Sequence, residues 1–345
     1  CLRGKVALAG WLLLPAVIAI SVVGAFVGGW VMTVVSLLLD VACVACLCFA
    51  HRDNSWLGKG EGKAEVAQCL DCVPVLLIGN IVFNILYNAM ASVFYSEACQ
   101  MDTRLGSGPK AAQLNGAVFN LGDTAAIILF TPVIDRLCIP MVERCIGRRV
   151  TLNMKIYTGI AFACAAQLAA ALLEYARRSS PVLDVGSHCA PLIEGSTSGE
   201  HVHLSGLSAF WMTIPYALVG IGEVLVNPVL QHTAYEGAPA SMRSLLQAFN
   251  LFAMGGLPNA FSSALTQATA RYTPNDLNEG YLPAVYFINA GIGVAGCGLY
   301  HLFSRPRQAE ASSTAESSSD EDARKLEAPP TSSSDASGEE DLVCI

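Results

Sequence analysis

Residues 220–232 read GIGEVLVNPVLQH, which sets a carboxylate, an amide and a proline inside an otherwise apolar run. Glu223 and Asn227 are four residues apart and so share one face of a helix. Pro228 lacks an N–H and its ring crowds the preceding turn, which leaves the carbonyl of Val224 without its helical partner. Carboxylate, amide and free carbonyl together form a polar patch suited to a cation, a proton or a substrate ammonium. The competing reading is a carboxylate satisfied by a neighbouring helix. His232, nine residues beyond Glu223, falls half a turn away at about 100° per residue and lies outside the patch. Three further acids, Asp40, Glu97 and Asp123, stand in apolar runs. An acid at the centre of a membrane helix costs about 2.5–3.5 kcal/mol on insertion scales, so such groups face a bundle interior or a watery cavity. Asp123 joins Glu223 as a leading candidate. Asp40 lies in the run whose limits are least distinct, and Glu97 is placed near a helix end, where it would reach water.

Other chemistries are poorly supported. Of thirteen cysteines, most, such as Cys43, Cys46, Cys48 and Cys164, sit in apolar runs, where cysteine behaves as a small hydrophobe. The CLDC stretch at Cys69 to Cys72 has no second pair at zinc-site spacing. The group His188, Cys189, His201 and His203 reads as a solvated loop. No nucleophile–base pair, metal constellation or nucleotide loop is evident, so neither an enzyme nor a bound cofactor or metal is expected.

The elements that must position these acids are membrane helices. Only 14% of residues are charged, 53% are hydrophobic, and the mean hydropathy is +0.48; soluble domains carry about 25% charged residues. Runs long enough to span a bilayer, which takes about 20 apolar residues, occur at 6–27, 30–50, 73–97, 114–138, 153–175, 206–231, 244–268 and 282–304. An even number of crossings puts both ends on one side. Alternate segments divide the bases thirteen to five, tail excluded, with Arg52, Lys59, Lys63, Arg136, Arg144, Arg148, Arg149, Lys155 and Arg243 in the richer set. The positive-inside rule then places both termini in the cytoplasm and the loop 178–205 outside or in a lumen. The net charge of −8 is local: residues 308–345 hold ten acids and two bases, and the rest balances at zero. This tail lacks the apolar residues needed to fold and is expected to be disordered; a merely solubilising role is the first reading, and its serines beside acids offering sites to kinases is the second. No nucleic-acid partner is implied. The chain starts at Cys1 directly before an apolar run with no clear cleavage site, and is read as N-terminally incomplete.

From about Phe83 to Arg307 the chain resembles the C-terminal half of the proton-coupled oligopeptide transporter family, which includes plant nitrate and peptide transporters. FNILYNAMASVFYSEACQMD looks like that family's seventh helix, and GDTAAIILFTPVIDRLCIPMVERCIGRR like its eighth helix and following loop. AALLEYARR, GIGEVLVNP, YEGAPASMRSLLQAFNL and NDLNEGYLPAVYFINAG are similar, in order, to the end of helix nine, helix ten, the start of eleven and the approach to twelve. The resemblance implies an all-α fold of the major facilitator type, two six-helix bundles around a central cavity. Residues 1–50 would be the last two helices of the N-terminal bundle, 51–72 a cytoplasmic linker, 73–304 the C-terminal bundle and 305–345 the tail. It also implies that Glu223 faces the cavity and meets a substrate amino group, with Asp123, nine residues before Pro132, facing the same space. There are departures. Asn84 and Asn250 stand where the family has tryptophans, Ala89 where it has glutamine, Asn88 where peptide carriers often have an acid, and Gln231, His232 and Thr233 where Leu-Glu-Phe is usual. Amides thus replace aromatics around the cavity, and the first-helix ExxE[RK] proton-coupling motif is not in this sequence.

The expectation is a proton-coupled symporter of small nitrogenous solutes, di- or tripeptides first and nitrate or another small solute next. It would work by alternating access in a plasma or internal, vacuolar-type membrane. Substrate, protons and lipid are the partners, and Glu223, Asp123, Asn227, Asn88, Asn84 and Asn250 the binding residues. The rivals are a non-transporting membrane sensor or scaffold and a degenerate half-transporter.

Overall fold

The computed structural model describes residues 2–27, 29–52, 54–57, 60, 62–106, 108, 111–193 and 201–327. In chain order the helices are α1 (Leu2–Val27), α2 (Trp30–Ala50), α3 (Lys63–Asp71), α4 (Val73–Tyr87), α5 (Tyr95–Cys99), α6 (Leu121–Val133), α7 (Ile139–Ile146), α8 (Leu152–Ser179), α9 (Thr213–Glu236), α10 (Arg243–Thr269) and α11 (Leu282–Glu327). A two-stranded antiparallel ribbon, β1 (Val182–Gly186) with β2 (His203–Ser205), lies between α8 and α9. Among the described residues, seven segments are long and apolar enough to cross a membrane. They match seven of the eight runs expected from hydropathy. The eighth, 244–268, is helical as α10 but too polar to qualify, because it carries Asn250, Asn259, Ser262, Ser263 and Thr266.

Two of the long segments are composite. π-helical turns at Met90–Phe94 and Ile134–Cys138 join α4 to α5 and α6 to α7. The second follows Pro132, which has no N–H to donate, and Thr131 Oγ1 returns to the carbonyl of Ile127 at 2.5 Å. π-Turns of this kind recur at functional sites. Between α1 and α2 the chain reverses at Gly29, whose φ of 96° is open to glycine without steric cost.

Residues 1–303 make one compact unit. Its centre is α4, in which every residue from Val73 to Leu86 is buried, against α8, α9, α10 and α2. Small residues set the closest helix contacts. A Cβ on Gly222 of α9 would lie 2.7 Å from the Gly159 carbonyl oxygen of α8, and one on Gly220 would lie 2.7 Å from the Asp123 carbonyl oxygen of α6. Apolar packing alone gives no preference over lipid, so close backbone approach of this sort is what holds membrane helices together. The segment 51–72, expected as a plain linker, contains a 3-10 turn at Ser55–Leu57 and the helix α3. From Ser304 the chain forms a separate unit, helical to Glu327. Disorder was expected there, and the helix to Glu327 forms although serine is the commonest residue of the stretch. The remainder of the tail, 328–345, lies outside the described residues.

Candidate solute-binding site

Asp123 and Glu223 come together because α6 and α9 pack through Gly220. A Cβ at that glycine would be 2.8 Å from Asp123 Oδ1, and Glu223 follows one turn later on α9. Asp123 lies within electrostatic reach of Glu223, and Tyr87 of α4 lies within reach of both. Asn227 Nδ2 donates to Glu223 Oε1 at 3.1 Å, as the spacing of four predicts. Glu223 Oε2, Asn227 Oδ1 and Asp123 Oδ1 are all buried without a hydrogen-bond partner among the described residues. Leaving such atoms unsatisfied costs about 1–3 kcal/mol each. Helix α9 runs through Pro228 to Glu236. Glu223, Val224, Asn227 and Pro228 line a cavity of about 220 Å³ bounded by α6, the turn Ile134–Cys138, α7 and α8.

The other predicted residues form an amide ladder between α4 and α10. Asn80 Nδ2 donates to Asn250 Oδ1 at 2.9 Å, and Asn84 Nδ2 donates to the Asn80 carbonyl at 2.9 Å. Asn250 Nδ2 is buried and unpartnered. One turn on, Asn88 Nδ2 donates to Asn259 Oδ1 and Ser262 Oγ, both at 3.0 Å, beside a second cavity of about 30 Å³. Asn84 and Asn250 are therefore joined through Asn80, whereas Asn88 has separate partners on α10. Sequence reasoning missed Asn80, Asn259 and Ser262. The signal was present, since Asn80, Asn84 and Asn88 repeat at intervals of four on one helix face.

Glu97 departs from expectation. It is fully buried, and Tyr286 Oη donates to its Oε2 at 2.5 Å. Within electrostatic reach are Glu174, Arg177 and Arg178. Arg177 grips Glu174 through two bonds of 2.6 and 2.9 Å, and Arg178 adds one of 2.7 Å. Arg178 also donates to the carbonyl of Gly280 at 2.9 Å, so the network fastens α5 and α8 to the segment before α11. Asp40, on α2, is buried with neither carboxylate oxygen bonded among the described residues.

The described residues of the loop at that end, read from the sequence as a solvated loop, are pinned at several points. Cys189 forms a disulfide with Cys99, and His201 and His203 meet the carbonyls of Ala190 and Leu183. Asp102 pairs with Arg104 at 2.8 Å. The hydrogen bonds and charge of Arg104 hold the Asp102 carboxyl below the usual carboxylate range. Backbone bonds from Asp102 to Leu207 and Ala209 tie this end of α5 to the approach to α9.

A buried two-acid cluster with no bonded base among the described residues, an amide ladder and membrane-length helices define a polytopic helix bundle with a polar interior. Residues 17–281 match the POT family, and the chain belongs to it. Members of that family are transporters and not enzymes. Two Arabidopsis thaliana proteins show the sequence likeness. Protein NRT1/PTR family 8.1 is 28% identical over 243 residues, covering 66% of this chain and 38% of its own. Protein NRT1/PTR family 2.11 is 28% identical over 255 residues, covering 70% and 39%. The chain thus spans about two fifths of these relatives' length. In fold it is similar to an auto-inhibited POT family peptide transporter, at a TM-score of 0.59 and 18% identity, with 86% of this chain and 53% of that one covered. It is also similar to a POT family transporter in complex with 5-aminolevulinic acid, at 0.53 and 15% identity, with 88% and 54% covered. The architecture is accordingly a membrane helix bundle of the major facilitator type.

Proposed function

We propose that this chain supplies the solute-binding half of a proton-coupled symporter for di- or tripeptides or related nitrogenous solutes. The observation that carries the reading is Glu223. It sits on the face it shares with Asn227, beside Asp123, with a buried oxygen that no described residue satisfies. An acid with an open valence and an acidic neighbour attracts a substrate ammonium or a proton. The peptide transporters and the 5-aminolevulinic acid complex among the structural neighbours fit amino-bearing solutes. Asn84 and Asn250 add amide donors and acceptors, and Asn88 reads the same helix one turn on. Helices α4 to α11 would form the C-terminal bundle, α1 and α2 the last two helices of the N-terminal one, and 51–72 the connection. Protons are the coupling ion, with no other cofactor.

The orientation follows from the basic residues, with both termini cytoplasmic and the loop 178–205 on the far side. The Cys99–Cys189 disulfide supports it, because disulfides persist in extracellular or lumenal compartments. Single cysteines at Asp184 and Arg148 test this with an impermeant thiol reagent on sealed cells. Labelling at Arg148→Cys but not at Asp184→Cys would reverse the assignment. For the site, uptake of an amino-bearing dipeptide and of its N-acetyl analogue by full-length Glu223→Gln is the decisive comparison. Loss of discrimination between the two supports the reading, and unchanged transport of both at equal surface abundance refutes it.

A further inference from the structure

The smaller cavity, about 30 Å³, lies between the π-turn Met90–Phe94, the last turns of α10 and the early part of α11. No charged side chain lines it; its polar wall is Ser92, Ser262, Thr266, Thr269, Thr273 and Asn289, together with Asn88. Almost every donor in that wall is spent elsewhere. Ser92 Oγ donates to the carbonyl of Asn88 at 3.1 Å, and Thr266 Oγ1 to that of Ser262 at 2.9 Å. Thr269 Oγ1 donates to the carbonyl of Leu265 at 2.7 Å, and Thr273 Oγ1 to that of Ala270 at 3.5 Å. Asn88 Nδ2 is used on Asn259 and Ser262. Asn289 Nδ2 donates to Gln167 Oε1 at 3.2 Å, and Gln167 is held in turn by its Nε2 bond to the Leu86 carbonyl. That leaves Asn289 Oδ1, which is buried without a hydrogen-bond partner on a side chain only 4% exposed. Only the Ser262 hydroxyl proton lacks an acceptor among the described residues.

A hydroxyl that donates inward keeps its lone pairs, so this space is walled by acceptors. An anion finds no donors there, and buried water makes about three hydrogen bonds, drawing on partners of both kinds. A cation uses acceptors alone. The last turn of α10 adds the negative end of a helix dipole, and Arg271 beyond it is turned onto the Tyr272 ring, 4.6 Å away. Calcium and magnesium are bound through carboxylates, and among the described residues no group of three or more His, Cys, Asp or Glu side chains could hold a metal. Neutral oxygens that replace a hydration shell suit a monovalent ion. The volume admits about one ion and one water, and exposed Thr266 gives a way in. We propose that this cavity binds a sodium ion through the hydroxyl oxygens of Ser92, Ser262, Thr266 and Thr269 and through Asn289 Oδ1. The ion ties the π-turn after α4 to the end of α10 and to α11. It braces the bundle and is not the coupling ion, and the site does not depend on the reading of Glu223.

Thermal unfolding of the purified, full-length protein in detergent tests this, with sodium chloride against choline chloride at equal ionic strength. Choline is too large for the cavity, so it controls for screening. Sodium should raise the unfolding temperature saturably, by about 2 °C or more over choline. The double substitution Thr266→Val with Thr269→Val nearly keeps side-chain shape and removes two of the oxygens. It should unfold close to the wild type in choline and lose the sodium increment. Ser92→Ala, on a different segment, is the milder second variant, and its half-saturating sodium concentration should rise severalfold. Glu223→Gln should keep the full increment. A wild type that sodium stabilises no better than choline overturns the proposal, the cavity then holding water only. An increment that survives in both wall variants overturns it too. So does an increment lost in Glu223→Gln, which would put the ion among the acids of the larger cavity.

Discussion

Glu97 and Glu223 are both acids in membrane helices, yet the chain treats them in opposite ways. Around Glu97 the charges cancel: Glu97 and Glu174 face Arg177 and Arg178, and Tyr286 bonds one Glu97 oxygen while the other, Oε1, has no hydrogen-bond partner among the described residues. Around Glu223 they do not. Glu223 and Asp123 have one lysine across a cavity, an amide that satisfies one oxygen, and three acceptor atoms left over. A buried charge is tolerable when paired and hydrogen-bonded. By the charge-pairing part of that criterion the Glu97 group is balanced and the Glu223 group is not, which is the ground for proposing the second as the binding site. The difference separates a structural acid from a binding one better than depth in the membrane does.

The sharpest way to break the comparison is to remove a counter-charge. Arg177→Ala would leave Glu174 and Glu97 buried without their main cation, and such a loss typically costs about 3–5 kcal/mol. Thermal unfolding in detergent should fall far more for this variant than for Glu223→Gln. Equal losses would mean that the two sites are not different in kind. Next in size is the disulfide that closes the same end. Cys189→Ser should lower stability by about 2–4 kcal/mol, and a reducing agent should reproduce the loss in the wild type while leaving the variant unchanged. Glu223→Gln carries the smaller, functional expectation. Its apparent affinity for an amino-bearing solute should weaken by about ten- to a hundredfold, equal to about 1.5–3 kcal/mol, with the unfolding temperature near that of the wild type. A variant that unfolds early but transports normally per surviving molecule would put Glu223 beside Glu97.

Much of this contrast lay within reach of the sequence, and the division has a physical basis. The pairing of Glu223 with Asn227 is a helix repeat of four, so local periodicity reveals it. Seven of the spans follow from hydropathy, and α10 departs because its polar residues serve the amide ladder rather than lipid. The resemblance carried the family. The burial of Glu97 among balancing charges was not legible, because its partners lie 189 residues away at Tyr286 and on α8. Its place near the end of a run suggested water, and only the packing of α11 and the loops covers it. The Cys99–Cys189 bond, with a separation of 90 residues, and the approach of Lys155 to the Glu223 cavity were hidden for the same reason. Periodicity reports what a helix does to itself, not which helix comes to meet it.

A third buried ionisable group shows what neutral satisfaction does, and it gives the smallest effect. His51 ends α2, where Trp11 Nε1 donates to its Nε2 at 3.0 Å and Asn54 Oδ1 lies 2.9 Å from its Nδ1. The indole can only donate, so Nε2 must accept and Nδ1 carries the proton toward Asn54. Burial lowers the pKa of His51, and the bond to Asn54 and the charge of Asp71 only partly offset it. The folded protein therefore holds this imidazole neutral to a lower pH than the unfolded chain does. Stability from His51 is present above the unfolded value, about 6.5, and is lost as pH falls from there through the lower folded value. Protonation would set an N–H at Nε2 against the indole N–H. The wild type should accordingly lose stability between pH 7.5 and 5, measured as a fall in unfolding temperature. His51→Gln cannot titrate, so its deficit against the wild type should be largest at pH 7.5 and shrink toward pH 5. A deficit that is constant across that range would mean that His51 binds its proton equally in both states, and that neutral hydrogen bonds at the end of α2 do not discriminate charge as the two acid sites do.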